Sequence, residues 1–360
     1  MSDMTLPSSV TRRASLIGIL LGAGYGLLAR IAVATSGLEG GLFFAMTIGF
    51  LFCVPFAMGY LTVRPVTAPS LVYRIFVPWL PCVLVVVTAA AVSLEGAICI
   101  VMALPVMLVF ASIGGISSAT PAGQSRAALP VVLLLPYLAM PFEAGRASSR
   151  RLVETTTEIT VAAPPAVVWS LIVSVDSIRP AEQRRALFTT IGFPQPIAAT
   201  LSHPGVGGVR HATFERGVVF LEAVTEWVPE RRLRFTIDPV EVPPTALDPH
   251  VTIGGPYFDV LTGTYELHPL PDGGTPIVLR SEHRVSTSFN PYAAWWAERV
   301  MQSIQRHILE VLRDRAEGTT GMLAVNHAPP SLVAALLAAG IIAHARRQAY
   351  LRESSADRRR

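Results

Sequence analysis

The sequence predicts two architectures in one chain: a multi-pass α-helical membrane domain, then an α+β domain whose curved antiparallel sheet wraps a long C-terminal helix. Three observations carry this. Hydrophobic residues make up 51% of the 360-residue chain against 15% charged, too apolar for an ordinary soluble protein, and most of the charge lies after residue 143. Between 152 and 286, short segments of alternating apolar and polar residues are separated by Gly, Pro and Asp turns. From Asn290 to Ala316, the residues Trp296, Val300, Ile304, Ile308, Val311 and Leu312 recur every three or four positions. Glu298, Arg299, Gln302, Gln305, Arg306 and Arg313 fall on the other side.

Residues 1–13 form a short N-terminal segment in which Arg12 and Arg13 precede an apolar run, as in a signal peptide. The run is long and no clean cleavage pattern follows, so it reads as a retained first helix. Within the membrane domain, 14–143, four charge-poor runs (14–34, 40–63, 75–94 and 96–116) are long enough to cross a bilayer core, which takes about 20 residues. Gly18, Gly22 and Gly26 lie on one face of the first and permit close helix contact. Glu95 alone separates the third and fourth, which predicts a tight hairpin. A fifth run, 127–142, carries Pro130, Pro136 and Pro141, and its length leaves crossing and re-entry both open.

Arg12, Arg13, Arg64, Arg74 and Arg126 fall on one side if the N-terminus is cytoplasmic, which fixes that orientation. Five crossings, the count adopted, place the following domain outside the cytoplasm; four place it inside. All 29 basic residues are Arg, a pattern of GC-rich coding that points to a bacterial inner membrane. No membrane run holds paired carboxylates, histidines or an Asp/Arg couple, so a pump or channel has no support and anchor or scaffold is the plain reading.

In the second domain, 152–318, Val153 to Val161 alternate as a strand and Pro164-Pro165 opens a helix. Residues 176–206 are mixed, with one short helix around 180–188. Strands are predicted at 207–215, 218–228, 231–238, 258–268 and 275–286, with turns at Arg216-Gly217, Pro229-Glu230 and Asp272-Gly273-Gly274. Asn290 is the expected N-cap of the closing helix, with Pro291 at its first position. That helix is ~40 Å long at ~1.5 Å per residue. The tail, 319–360, is a linker, an apolar stretch at 331–345 that is short for a crossing yet open as an extra membrane helix, and an Arg-rich end that lies inside if it crosses.

Three segments carry a family resemblance. They are Ala163-Pro164-Pro165-Ala166-Val167-Val168-Trp169 after a strand, Val224 to Phe235, and Gly263-Thr264-Tyr265-Glu266-Leu267 ahead of the long helix. Together they resemble the SRPBCC superfamily, which includes START lipid-transfer domains, the birch-pollen-allergen fold and the polyketide cyclase/dehydrase group. The resemblance implies a helix-grip fold with an apolar cavity between sheet and terminal helix. The whole chain is similar to bacterial members of that superfamily with N-terminal transmembrane helices.

Strand alternation decides which side chains can line such a cavity. Trp227, Phe235, Tyr265, Leu279, Trp296, Val300 and Ile304 are the lining candidates, although any sheet packed on a helix needs such residues for its core. Arg210 is the candidate partner for a ligand carboxylate or lipid phosphate. The Pro/Gly-rich segment 239–256 has the character of a lid. His211, Glu222, Glu226, Glu282, His283 and His307 are the polar residues placed where acid–base chemistry can be imagined, with Glu222 and Glu226 expected on the same strand face. Their spacing matches no triad, metal site or nucleophile elbow. Cys53, Cys82 and Cys99 all lie in apolar runs, which excludes a disulfide framework.

The sequence therefore predicts no metal and no cofactor, and the lack of a basic stripe interleaved with aromatics gives no support to nucleic-acid binding. The first functional reading is a membrane-anchored module for a hydrophobic ligand, lipid-like or isoprenoid/polyketide-like. The alternatives are a polyketide cyclase/dehydrase-type enzyme using His211 or His283 with Glu222 or Glu226, and a scaffold whose cavity is filled by its own side chains.

Overall fold

The structure is a computed structural model that describes residues 9–35, 47, 49–92, 97–144, 149–243, 253–255, 257–287 and 289–318. Three of the expected features lie outside these residues: the hairpin at Glu95, the apolar stretch 331–345, and most of the Pro/Gly-rich segment. The described residues fall into two compact units, one before Ser149 and one from Ser149 onward.

The first unit is helical: α1 (Ser9–Thr35), a π-helical turn at Gly49–Cys53 leading into α2 (Val54–Val63), α3 (Leu71–Phe76), α4 (Trp79–Ala91), α5 (Ala97–Ser118), a single turn α6 (Pro121–Gln124) and α7 (Ala128–Ala144). Three stretches are long and apolar enough to cross a membrane: Arg12–Ala32, Leu71–Ala91 and Ala97–Ser118. Gly49–Val63 and Ala128–Ala139 are apolar but shorter. The small-residue stripe packs as its spacing predicts. A Cβ on Gly18 would overlap the Thr62 backbone, and one on Gly22 would meet Thr62 and Met58, so α1 and α2 touch at backbone distance. Gly59 and Gly114 make the same close approach between α2 and α5. Leu16, Leu20, Leu28, Val131 and Leu138 remain exposed on the outside of this unit, a surface suited to lipid rather than water.

The second unit holds one seven-stranded antiparallel sheet in the order β1-β7-β6-β5-β4-β3-β2. The strands are β1 (Arg151–Val161), β2 (Pro196–Leu201), β3 (Val209–Phe214), β4 (Val218–Val228), β5 (Arg232–Glu241), β6 (Phe258–Leu267) and β7 (Thr275–Val285). Helix α8 (Pro165–Val173) and the short α9 (Leu187–Thr190) lie between β1 and β2, and α10 (Asn290–Ala316) closes the unit. The turns fall where the sequence puts them, with Arg216, Gly217, Glu230 and Gly273 at positive φ.

Strand β2 is the element the sequence does not announce. It lies in the stretch read as mixed, is short, sits at the sheet edge, and its Ala198-Ala199 centre lacks β-branched character. The helix expected around 180–188 resolves into a 3-10 turn at Pro180–Glu182 and α9.

One face of the sheet packs on α8 and α10. Its core gathers Val161, Val168, Ile172, Val224, Leu233, Phe235, Tyr265, Leu267, Ile277, Leu279, Leu309 and Leu312. Two expectations about α10 are corrected. Asn290 is its first helical residue, and its side chain looks backward: Oδ1 accepts from the Thr287 N–H at 2.6 Å and Nδ2 donates to the Ser149 carbonyl at 2.6 Å. Gln305, placed on the polar side by its chemistry, is buried against the sheet. It accepts from Thr157 Oγ1 at 2.7 Å and donates to Ser281 Oγ at 2.8 Å and to the Thr155 carbonyl at 3.1 Å. A buried amide is tolerated only when satisfied in this way, so Gln305 acts as a polar clasp between α10, β1 and β7.

Candidate functional site

On β3 burial alternates, so Arg210 and Ala212 point to the buried face of the sheet while His211 is exposed on the opposite side. Across the β3–β4 ladder Arg210 is paired with Glu222, and Nη1 donates to Glu222 Oε2 at 2.6 Å. The guanidinium also lies over the Phe235 ring, 4.9 Å from its centroid. Gly263 sits opposite Phe235 on β6, and a Cβ there would come within 2.5 Å of the ring. The glycine therefore leaves the space in which the ring lies flat beneath the cation.

Apolar residues surround this pair. Ala212 and Phe220 belong to a smaller cluster, Leu201, Val224 and Tyr265 to the main core, and Ile237 packs against both. Arg210 is 3% exposed, and its Nε has no hydrogen-bond partner. Burial pushes the Glu222 carboxyl above its usual range, with Arg210 pulling it back. Burial likewise pushes the Tyr265 hydroxyl up to about 12, again opposed by Arg210. The result is a charged donor with a free N–H, held by a carboxylate that neutralises it, on an otherwise apolar face.

The remaining predicted residues separate by strand parity. A bulge between Val224 and Glu226 shifts the β4 register, so Glu226 does not share the face of Glu222 as alternation predicts. It points outward, 3.6 Å from Arg232, while Trp227 turns inward to meet Trp169 edge-to-face at 5.2 Å. Glu282 is also on the outer face, where it accepts from Thr262 Oγ1 at 2.9 Å. His307 is buried on α10, with Nε2 2.9 Å from Gln183 Oε1 and its ring 5.6 Å from that of Phe188.

His283 is on the inner face of β7, fully buried, 5.9 Å ring to ring from Phe258, with neither ring nitrogen partnered. Desolvation lowers its pKa to about 4. It stands three strands from Glu222, ~14 Å along the sheet at ~4.8 Å per strand. Among the described residues no hydrogen bond or ion pair joins His211 or His283 to Glu222 or Glu226, so the acid–base couples drawn from the sequence are not assembled.

Phe235, Tyr265 and Leu279 are in the main core, with Trp227 packed at its margin. On α10, Val300 is buried and Ile304 half-buried, while the half-buried Trp296 contacts Tyr292 and Trp295 and leaves its Nε1 without a partner. The sequence reading missed the clasp at Gln305. The signal was available: Thr155, Thr157 and Ser281 are polar residues at inward positions of β1 and β7, where a partner is needed. It also missed the ion pairs of Glu182 with Arg315 at 2.8 Å and of Arg184 with Asp314, which fasten the 177–190 segment to α10. Among the described residues, no group of three or more His, Cys, Asp or Glu side chains is placed to hold a metal.

Residues 153–317, under half of the chain, match the family model described as polyketide cyclase / dehydrase and lipid transport. A comparison with curated proteins finds no match. Solved structures with a similar chain path include a START superfamily protein from Mycobacterium smegmatis, 13% identical with a TM-score of 0.31 over 46% of this chain and 98% of that one. A protein from Thermus thermophilus is 19% identical with a TM-score of 0.30 over 46% and 99%. Another, from Arthrobacter aurescens, is 16% identical with a TM-score of 0.31 over 49% and 92%. Residues 153–317 thus carry the polyketide cyclase / dehydrase and lipid transport match, on a sheet and terminal helix consistent with a helix-grip fold, behind helices apolar enough to span a membrane.

Proposed function

We propose that the protein is a membrane-anchored module that holds a hydrophobic ligand between the sheet and α10, and that Arg210 takes an anionic group on that ligand, a carboxylate or a phosphate. The observation that carries this reading is the Arg210–Glu222 pair on an apolar face, with the Arg210 Nε unsatisfied. A buried ion pair is seldom more stabilising than well-packed apolar residues of the same size, so stability alone is a poor reason for one here. An anchor for a ligand head is a better one. Phe235, Tyr265, Ile237 and Phe220 offer the apolar body of the ligand its surroundings. The apolar helices serve as the anchor, with the N-terminus in the cytoplasm and the ligand-holding domain on the outer side of a bacterial inner membrane.

The test is native mass spectrometry and lipid extraction of residues 149–318 expressed alone, with circular dichroism confirming the sheet. The wild type carries an anionic hydrophobic molecule and Arg210→Met does not. Equal loading of both, or an empty wild type that no lipid class stabilises, refutes the proposal.

A further inference from the structure

The register of the sheet gathers one set of unlike features at a single end of the second unit. Arg151 at the start of β1 pairs with Val285 at the end of β7, which pairs with Phe258 at the start of β6. Helix α10 begins five residues after Val285, and Asn290 is bonded to Ser149. The opposite end holds the other terminus of α10, where Glu317 accepts from the Ala162 N–H at 2.8 Å. The end at which the chain arrives from α7 is therefore also the end at which α10 starts and at which the β5–β6 connection departs.

This end is aromatic and basic. Phe289 and Tyr292 stack at 5.7 Å, and Tyr292 and Trp295 at 6.4 Å. Trp295 is 47% exposed, and Arg299 lies over its ring at 5.2 Å. Pro291, Trp295 and Arg299 line one exposed stripe of α10, and Arg150, Arg151 and Leu152 are exposed where the chain enters. Glu298, half-buried and bonded to Gln302, is the one carboxylate in this turn of α10. Phe289 and Tyr292 are half-buried, and Trp295 is the ring of the stack that reaches solvent. Trp, Tyr and Arg together are the side chains that settle at the headgroup level of a bilayer.

The chemistry of this end favours a bilayer as its occupant: an exposed tryptophan beneath an arginine, with Arg150 and Arg151 exposed where β1 begins, suits both the apolar and the anionic parts of a lipid surface.

We propose that the start of α10 is a membrane-docking face, with Phe289, Tyr292 and Trp295 seated among the headgroups and Arg150, Arg151 and Arg299 meeting anionic lipid. This rests on the reading of the apolar helices as membrane-embedded. It makes the exchange of a hydrophobic ligand a direct transfer from the lipid surface, without passage through water.

The test uses the full chain in nanodiscs of phosphatidylcholine and phosphatidylglycerol, with acyl chains either plain or brominated near the headgroup. Tryptophan emission is compared for wild type, Trp295→Phe and Trp169→Phe, each first shown to be folded by circular dichroism. The expected result is that brominated lipid quenches wild-type emission and that Trp295→Phe loses part of this quenching, while Trp169→Phe keeps all of it. Equal quenching of wild type and Trp295→Phe overturns the proposal, as does shielding of Trp295 through dimerisation without any bromine effect. Loss of ligand in Arg210→Met with the Trp295 signal intact separates the anchor from the docking face.

Discussion

Glu222→Gln is the most informative single change, because it removes a charge while keeping the shape. In the wild type the carboxylate is 2.6 Å from a guanidinium whose side chain is 4% exposed. Arginine cannot shed its proton at any accessible pH, so in the variant a full positive charge stays buried among Ala212, Phe220 and Val224 with only a neutral amide beside it. Removing one partner of a buried pair costs ~3–5 kcal/mol, and the 12% exposure of the Glu222 side chain argues for the lower end. For a domain of this size each kcal/mol moves the melting temperature by ~2–4 °C, so the expected fall is ~6–12 °C.

The partner substitution differs. In Arg210→Met the remaining carboxyl can take up a proton, so its cost is small near pH 4 and grows as the pH rises. Arg210→Met/Glu222→Leu removes both charges and recovers to within ~1 kcal/mol of the wild type. Thermal melts of the full chain in detergent, followed by near-ultraviolet circular dichroism, report all four proteins. If Glu222→Gln melts with the wild type, or the double variant is as unstable as Glu222→Gln, the pair is not the buried, apolar-walled unit described here.

Two further outcomes are expected. His283 and His307 are held neutral, each with its pKa lowered to about 4 mainly by desolvation. The unfolded chain binds these protons first, so the stability tied to each histidine is complete above its unfolded value of ~6.5. It is lost as the pH falls towards 4, by ~3 kcal/mol each. His283→Leu therefore flattens part of the melting-temperature profile between pH 6.5 and 4, and an unchanged slope refutes the assignment. Gly263→Ala drives a methyl into the Phe235 ring, which must leave its place under Arg210. An overpacking cost of ~1–3 kcal/mol is expected in the same melt, and a variant as stable as the wild type means that the ring is not confined there.

The long periodic elements were legible because each repeats one simple rule. The period of α10 and the alternation of β1 each run far enough to make the element legible. What escaped depended on geometry that no local pattern encodes. A single bulge after Val224 turns Glu226 away from Glu222, although alternation puts them on one face. Gln305 is polar by composition and buried by partnership, and that became visible only when Thr157 and Ser281 came opposite it.

Arg210 was legible as a candidate. What singles it out, the pairing with Glu222 and the ring of Phe235 beneath it, depends on β3, β4 and β5 being neighbours. The ion pairs of Glu182 and Arg184 with α10 were hidden for the same reason, since they lie in a segment with no period at all.

The clasp that joins β1 to α10 also dictates an order of events during synthesis. Thr157 meets Gln305 at a separation of 148 residues along the chain, and among the described residues β1 finds its sheet neighbour in the last strand to be made. While the ribosome is still adding β2 to β6, the first strand has neither β7 nor α10 to pair with. Closing so distant a contact is slow, and an unpaired edge invites mispairing in the meantime. The charged and hydroxylated outward side of β1, with Glu154, Thr156, Glu158 and Thr160, is well suited to keeping that waiting strand in solution.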